Sequence, residues 1–175
     1  AMIARQAGVT RTNLYRYFST REEIFLTLYM EDLAHWTQYA ESALKGPLSP
    51  ETFIQPWVDS FSDFPRLLRL SPLLAISLEK NSSREFYIQT KQTLSRLMDR
   101  IGRLLKSLLP QLSEQDILDL LQFHQSLAAG AWPLSHPTEE QRQILQDHNL
   151  DHLVMDFQDF YSKSLSRYLR GLVQP

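Results

Sequence analysis

The sequence predicts an all-α protein, and three features of its 175 residues support this fold class. Apolar residues recur every three to four positions along most of the chain, which is the period of an amphipathic helix. The strict alternation of apolar and polar residues that indicates β-strands is absent. Hydrophobic residues make up 43% of the chain and glycines number only five, so the sequence can bury a core and is not disordered.

The predicted helices follow one another with short breaks. In order they span about residues 1–7, 11–18, 20–44, 50–64, 65–81, 83–109, 113–132 and 151–170. A turn at Gly8 separates the first two helices, and Thr10 is placed to cap the second. Ser19 and Thr20 precede two glutamates and therefore cap the third helix, which ends at Gly46-Pro47.

Prolines and capping residues delimit the later helices. Pro65 starts one helix, which we expect to kink near Pro72. Ser113 and Asp116 resemble a capping box at the start of a helix that is apolar nearly all round. Residues 133–150 are polar and are predicted to form a connection with room for one short helix.

Charge is distributed unevenly along the chain. The first 21 residues contain four arginines and no carboxylate, whereas the other 154 hold 14 basic and 20 acidic side chains. This asymmetry indicates a local contact with an anionic partner. The absence of cysteine excludes disulfides and thiolate metal sites and is typical of a reducing cytoplasm. No apolar run approaches the roughly 18 residues of a membrane span, so no membrane partner is expected.

The arginine-rich start has the layout of a helix-turn-helix, whose second helix enters the major groove of DNA. Leu14 and Phe18 would face inward with Val9, leaving the other side chains of residues 10–18 outside. The predicted base contacts are Arg11, Thr12, Asn13 and Arg16. Tyr15 is a further candidate for DNA contact, and its partner on the DNA is not assigned. The predicted phosphate contacts are Thr10, Tyr17 and Arg21.

The run AGVTRTNLYRYFSTREEIF, residues 7–25, resembles the TetR family of bacterial transcriptional regulators. That family combines a small residue, Gly, Val and a hydroxyl residue with a recognition helix that ends Tyr-x-Tyr-Phe. A basic residue, two acids and an apolar residue follow. The resemblance implies a TetR-like helix-turn-helix head followed by a helical ligand-binding and dimerisation bundle.

This likeness suggests a division of the chain. Residues 1–44 would form a partial DNA-binding head, about 1–21, plus a connecting helix. Residues 45–175 would form the helical effector-binding and dimerisation domain. Because the family has one more helix before the position of residue 1, we expect such a helix to precede this chain in the natural protein.

The resemblance also implies a homodimer, since one head contacts only half of an operator. In the family, the helices that correspond to residues 113–132 and 151–170 form a four-helix bundle between subunits. A helix that is apolar all round must be covered on both sides, although a monomer core would also satisfy this need. The predicted interface residues are Leu120, His124, Leu127, Ala128, Phe157, Phe160, Tyr161, Ser164, Leu165 and Tyr168.

A small-molecule site is expected between the head and the dimer interface. Its predicted lining residues are Trp57, Phe61, Phe64, Leu74, Leu78, Phe86, Tyr87, Phe123 and Trp132. Such aromatic and aliphatic side chains line pockets for apolar ligands, and they also fill ordinary cores. The resemblance therefore implies a repressor that a small effector releases from double-stranded DNA, with helix 20–44 as the lever. The predicted lining favours an apolar or aromatic effector, and no cofactor is expected.

The alternative from another class is an all-α ligand-binding or metal-dependent enzyme module with a non-functional head. His148 and His152 lie four residues apart and could share a metal on a helix, but a solvated helix start is the favoured interpretation. His124 could be a satisfied core or interface histidine, or could polarise a ligand. The sequence contains no Gly-rich phosphate loop and no G-x-S-x-G, so no enzyme is expected.

Overall fold

The structure, a computed structural model, describes residues 16–173, without the side chains of Ala75 and Val173. The α-helices of this part are α1 (Arg21–Ala43), α2 (Pro50–Asp59), α3 (Pro65–Leu70), α4 (Arg84–Leu108), α5 (Glu114–Ser135), α6 (Glu139–Asp147) and α7 (Phe157–Val173). A 3₁₀ turn (Ser71–Leu73) and a π-helical turn (Leu74–Leu78) follow α3, and another 3₁₀ turn (Asp151–Leu153) precedes α7. No strand occurs within residues 16–173, and the all-α prediction is confirmed.

The start of α1 is closed by side chains, as the sequence predicted. The Thr20 hydroxyl accepts a hydrogen bond from the Glu23 backbone N–H at 3.2 Å. The Glu23 carboxylate in turn accepts one from the Ser19 backbone N–H at 2.6 Å. Two of the backbone donors that a helix N-terminus leaves open are thereby satisfied.

Helix α1 lies at the centre of the helical body. It packs along α4 and also contacts α3, while α7 packs against α2 and α5. The apolar face of α1 is almost completely buried and joins one continuous core with residues of α2, α4, α5 and α7. The buried side chains of this face include Leu26, Tyr29, Leu33, Trp36 and Ala40.

Two helix ends differ from the sequence prediction. Helix α2 ends at Asp59 rather than near Phe64, and tight turns follow it, in which the N–H groups of Phe61, Ser62 and Phe64 bond to carbonyls three residues back. The proline at position 65 disfavours helical dihedrals in the residue before it. The backbone of Phe64 is indeed non-helical, with φ −120° and ψ 48°. Helix α5 continues past Pro133 to Ser135, three residues beyond the predicted end.

The boundary between α6 and α7 also differs from the prediction, which started the last helix at about residue 151. Helix α6 ends in a left-handed residue, Asn149 at φ 57°, and the N–H of Leu150 bonds to the carbonyl of Leu145 at 2.8 Å. Helix α7 starts six residues later than predicted because the Asp156 carboxylate caps it, accepting from the Asp159 N–H at 2.8 Å.

The loop after α1 runs directly against the end of α4. The N–H of Leu48 bonds to the carbonyl oxygen of Leu108 at 2.7 Å. A Cβ atom on Gly46 would lie 2.7 Å from the carbonyl oxygen of Ser107 and 2.8 Å from the Cα of Leu108. Both neighbours are backbone atoms, so a side chain at position 46 has no space without a shift of the loop.

We therefore expect Gly46→Ala to lower the free energy of unfolding by about 1–3 kcal/mol, as overpacking does. Gly130→Ala is the control, because a Cβ there meets nothing within 4 Å and the residue lies inside α5. That change should stabilise the protein by about 0.5–1 kcal/mol. Urea unfolding measures both, and an equal effect of the two changes would contradict the close approach.

Candidate functional site

An apolar cavity of about 480 Å³ lies inside the helical body. That volume is within the range of sites for drug-sized ligands. Five α-helices and the turns after α3 contribute to its walls. The lining side chains used below are Tyr29, Leu33 and Trp36 of α1, Trp57 of α2, Lys91, Met98 and Ile101 of α4, and His124 and Gln125 of α5, together with Phe61, Ser71, Leu74 and Glu79.

One side of the cavity is a cluster of aromatic rings. Trp36 stacks on Phe61 with ring centroids 4.5 Å apart, and it meets Trp57 edge to face at 5.2 Å. The ring of His124 stacks on Phe61 at 5.0 Å. The indole N–H of Trp36 donates to the Ser60 hydroxyl at 3.0 Å, so this buried polar group is satisfied away from the cavity.

His124 lies between the cavity and the core. Its Nδ1 is hydrogen-bonded to the hydroxyl of Tyr161, a side chain that is only 1% exposed. Burial lowers the pKa of His124 to about 4 and raises the pKa of Tyr161 above its ordinary value. Both groups are therefore neutral at pH 7.

A second polar group of the wall lies where α5 meets α1 and the first turn after α3. The Tyr29 hydroxyl donates to Oε1 of Gln125 at 3.4 Å, and Nε2 of Gln125 donates to the Ser71 hydroxyl at 2.9 Å. Burial raises the pKa of Tyr29 to about 12, which keeps this phenol protonated.

The remaining charged groups of the wall form an ion pair. The Lys91 ammonium lies 2.6 Å from a carboxylate oxygen of Glu79. Glu79 follows the π-helical turn Leu74–Leu78, in which the Glu79 N–H reaches back five residues to the Leu74 carbonyl at 3.0 Å. Such wide turns often occur at functional sites, and this one turns Leu74 and Glu79 towards the cavity.

The predicted pocket residues fall into two groups. Trp57, Phe61 and Leu74 line the cavity. The others lie elsewhere: Leu78 is in the core, Phe64 and Phe86 are half-buried against it, Tyr87 is exposed, Phe123 stacks on Tyr168 at 4.0 Å, and Trp132 stacks on His136 at 3.6 Å.

The wall contributed by α1 was not anticipated. Tyr29, Leu33 and Trp36 follow one another at helical spacing, and the sequence predicted for their helix, 20–44, only the role of a lever. The same stripe in the sequence could have indicated a cavity wall, because a helix beside a ligand site presents its apolar face to that site.

The ten predicted interface residues also separate by burial. Leu120, Ala128, Tyr161 and Leu165 are buried within the chain's own core, and His124 lines the cavity. Phe160 is 37% exposed, whereas Leu127, Phe157, Ser164 and Tyr168 are half-buried. Only this second group leaves surface for a partner.

Three of the predicted DNA contacts lie within the described residues. Arg16 and Tyr17 are exposed just before α1, and the phenol of Tyr17 is 75% exposed. Arg21 is the first residue of α1, and its exposed guanidinium lies 2.9 Å from the Glu22 carboxylate. Thr10, Arg11, Thr12, Asn13 and Tyr15 lie outside the described residues.

Glu23 connects this segment to the wall of the cavity. Besides the Ser19 N–H, its carboxylate accepts the N–H of Ser83 at 2.8 Å, and Ser83 is the N-cap of α4. Burial opposes the negative charge, but the hydrogen bonds that the carboxylate accepts outweigh burial and lower the pKa of Glu23. One carboxylate thus holds together the starts of α1 and α4.

His148 and His152 do not share a helix. His148 ends α6, the left-handed Asn149 reverses the chain, and His152 lies in the following 3₁₀ turn. The helical spacing on which the metal hypothesis depended is therefore absent. Across residues 16–173, no group of three histidine, aspartate or glutamate side chains is placed to hold a metal ion. In the same part of the chain, no helix is long and apolar enough to cross a membrane.

The described residues form an all-α body that begins with two exposed arginines, Arg16 and Arg21. Residues 1–28 match the family profile described as bacterial regulatory proteins, tetR family. Residues 30–175 match a second profile, described as tetracyclin repressor-like, C-terminal domain. Since these matches cover most of the chain, the protein belongs to the TetR family of bacterial transcriptional regulators. No curated protein matches the chain closely enough to count as a relative.

We expect His124 to give the protein a pH-dependent stability. Its pKa is about 4 in the folded chain, against an ordinary value near 6.5, so the unfolded chain binds one more proton between these pH values. The contribution of the neutral His124 ring to the free energy of unfolding is fully present above about pH 6.5, and it is lost as the pH falls towards 4. The slope is about 1.4 kcal/mol per pH unit.

Urea unfolding of the wild type and of His124→Gln measures this effect. Between pH 7 and pH 5 the wild type should lose about 2 kcal/mol more than the variant. Between pH 7 and pH 8 the difference should stay constant, which serves as the control. A difference that does not change between pH 7 and pH 5 would contradict a buried neutral imidazole.

Proposed function

We propose that the protein is a repressor that binds operator DNA as a homodimer and leaves it when a small apolar effector enters the cavity. One observation carries this proposal: α1 is a wall of the cavity and, through its first turn, the support of the segment that precedes it. A ligand that changes the position of α1 must therefore also change the position of that segment.

Helix α1 is suited to transmit such a movement. Its cavity wall spans Tyr29 to Trp36, while its first residue follows the capping residue Thr20 without a break. Glu23 adds a second route, since Ser83 begins the helix that supplies Lys91, Met98 and Ile101 to the cavity. The ligand would bind more tightly to the form of the dimer whose heads are wrongly spaced for the operator, and so weaken DNA binding. By linkage, bound DNA would weaken ligand binding by the same factor as the ligand weakens DNA binding.

The DNA contacts remain those inferred from the sequence. Base contacts would come from Arg11, Thr12, Asn13 and Arg16, and Tyr15 is a further candidate for DNA contact without an assigned partner. Phosphate contacts would come from Thr10, Tyr17 and Arg21. The exposure of Tyr17 and Arg21 supports this role, because a phosphate contact needs side chains that the body does not cover.

The dimer would form through the outward faces of α5 and α7. Leu118 of α5 is 53% exposed, and Phe160 of α7 is 37% exposed. Family membership implies dimerisation, and apolar side chains left on these two helices support them as the interface. In this arrangement residues 1–44 supply the head and its connecting helix, which adds one wall to the cavity. Residues 45–175 supply the rest of the effector site and the dimer interface. The protein acts in the cytoplasm, where the chromosome lies.

The decisive experiment is selection of binding sites from a random DNA duplex pool at two salt concentrations. A roughly palindromic site, bound with an affinity that falls steeply with salt, is expected of a dimeric repressor. Recovery of no enriched sequence would reject specific operator binding.

The selected operator allows a test of the phosphate contacts. Arg21→Ala should weaken binding to every DNA sequence and reduce the salt slope by about 1, because one phosphate contact is lost. Asn13→Ala should instead relax the preference at one base pair by about 1–3 kcal/mol. Arg142→Ala, on the exposed face of α6, removes the same charge as a control and should change neither quantity. Fluorescence anisotropy at several salt concentrations measures the affinity and its salt slope. A salt slope that stays unchanged in Arg21→Ala would contradict a phosphate contact by Arg21.

Filling the cavity should make the repressor insensitive to effectors. Compounds that release the wild type from the operator can be found by screening small aromatic molecules in the same anisotropy assay. Met98→Trp places a larger side chain in the cavity wall, so the half-release concentration of these compounds should rise by about tenfold or more, which corresponds to about 1.4 kcal/mol. Gln92→Trp, on the exposed side of α4, should respond like the wild type. Equal release of both variants would place the effector site elsewhere.

A further inference from the structure

We propose that the cavity selects aromatic ligands that carry a neutral hydrogen-bond acceptor such as a ketone oxygen, and that Nε2–H of His124 donates to this acceptor. The inference rests on the proposed function, because it names the ligand class of the same cavity. It follows from the position of one proton on His124, from the surface that this proton faces, and from the pairing of Gln125 and Lys91 in the wall.

The position of the proton follows from the partners of the Tyr161 hydroxyl. This hydroxyl is buried, and His124 Nδ1 is its hydrogen-bond partner among the described residues. A buried hydroxyl needs an acceptor for its proton, so the phenolic proton goes to Nδ1, which therefore accepts. Since burial keeps the imidazole neutral, with a pKa of about 4, its single proton lies on Nε2.

The Nε2 edge of the ring is the edge left for the cavity. The ring of His124 belongs to the cavity wall, one of its faces is covered by Phe61, and its Nδ1 edge is occupied by Tyr161. Nε2 itself has no hydrogen-bond partner among the described residues. Every fully buried side-chain nitrogen or oxygen in that part of the chain has one, so Nε2 is not sealed in protein.

Two other polar groups of the wall, Gln125 and Lys91, are already paired. Gln125 is hydrogen-bonded to Tyr29 and to Ser71, and Lys91 is held by Glu79. An anionic ligand would meet a neutral imidazole and a lysine whose charge is compensated. A neutral acceptor is favoured for this reason, while Trp36, Trp57 and Phe61 supply an aromatic surface for its ring.

A hydrogen bond to an otherwise unpaired donor in an apolar site discriminates strongly between ligands. The ligand with an acceptor gains the bond, and the ligand without one covers the donor and leaves it unsatisfied. A preference of about tenfold is expected for a matched pair of ligands, which corresponds to about 1.4 kcal/mol.

Calorimetric titration of the whole protein with 2-acetylnaphthalene and 2-isopropenylnaphthalene tests this preference without DNA. The two probes have the same shape, and the second replaces the ketone oxygen by a methylene group. The wild type should bind the ketone about tenfold more tightly. His124→Phe should abolish the preference and keep the affinity for the alkene, whereas His152→Phe, at an exposed histidine remote from the cavity, should keep the preference.

Nitrogen NMR of protein labelled in its histidine rings reports on the same proton and needs no variant that has to fold. The unliganded protein should show His124 protonated at Nε2 and unprotonated at Nδ1. The ketone should shift the Nε2 resonance, and the alkene should shift it much less. A proton on Nδ1 would overturn the inference.

The outcomes separate this inference from the proposed function. Equal binding of the two probes to the wild type, or an undiminished ketone preference in His124→Phe, would overturn the role of His124 and leave the effector cavity in place. Failure of both probes to bind would overturn the inference and also count against the cavity as the effector site. Operator binding is measured separately and is independent of either result.

Discussion

Trp36 stacks on Phe61 and meets Trp57 edge to face, so one side chain of α1 both closes the core and forms a wall of the cavity. The rest of the structure depends on this double use of α1. If the whole apolar face of α1 packed against other helices, a ligand could move α1 only by unpacking the core. Here part of that face meets empty space of about 480 Å³, so a ligand can contact α1 directly.

Polar contacts hold α1 to its neighbours at its start, middle and end. The Glu23 carboxylate joins it to the N-terminus of α4, Asp32 forms a bidentate pair with Arg66, and Glu41 forms another with Arg100. Hydrogen bonds from Arg100 lower the pKa of Glu41. Partly exposed pairs of this kind contribute little free energy, but their geometry fixes how α1 lies against α3 and α4. Movement of α1 and α4 is therefore coupled at both ends.

Helix α5 shows how one helix can serve three purposes. Its nearly continuous apolar character was interpreted as one face for the core and one for a partner. In the structure, Leu120 and Ala128 face the core, His124 and Gln125 face the cavity, and Leu118 remains at the surface. The hydrogen bond between Tyr161 of α7 and His124 links the helix proposed for dimerisation to the cavity wall. A ligand held by His124 would thus contact a side chain that α7 orients.

The sequence by itself determined the helical class, the capped start of α1 and the family, because period, caps and the motif of residues 7–25 are local signals. It also indicated three cavity residues, Trp57, Phe61 and Leu74. Only the tertiary structure decided that Tyr29 and His124 face the same cavity while Phe123 and Trp132 pack elsewhere. An apolar side chain at helical spacing looks the same in sequence whether it meets another helix or empty space. That difference depends on how far apart the packed helices lie, which no local pattern encodes.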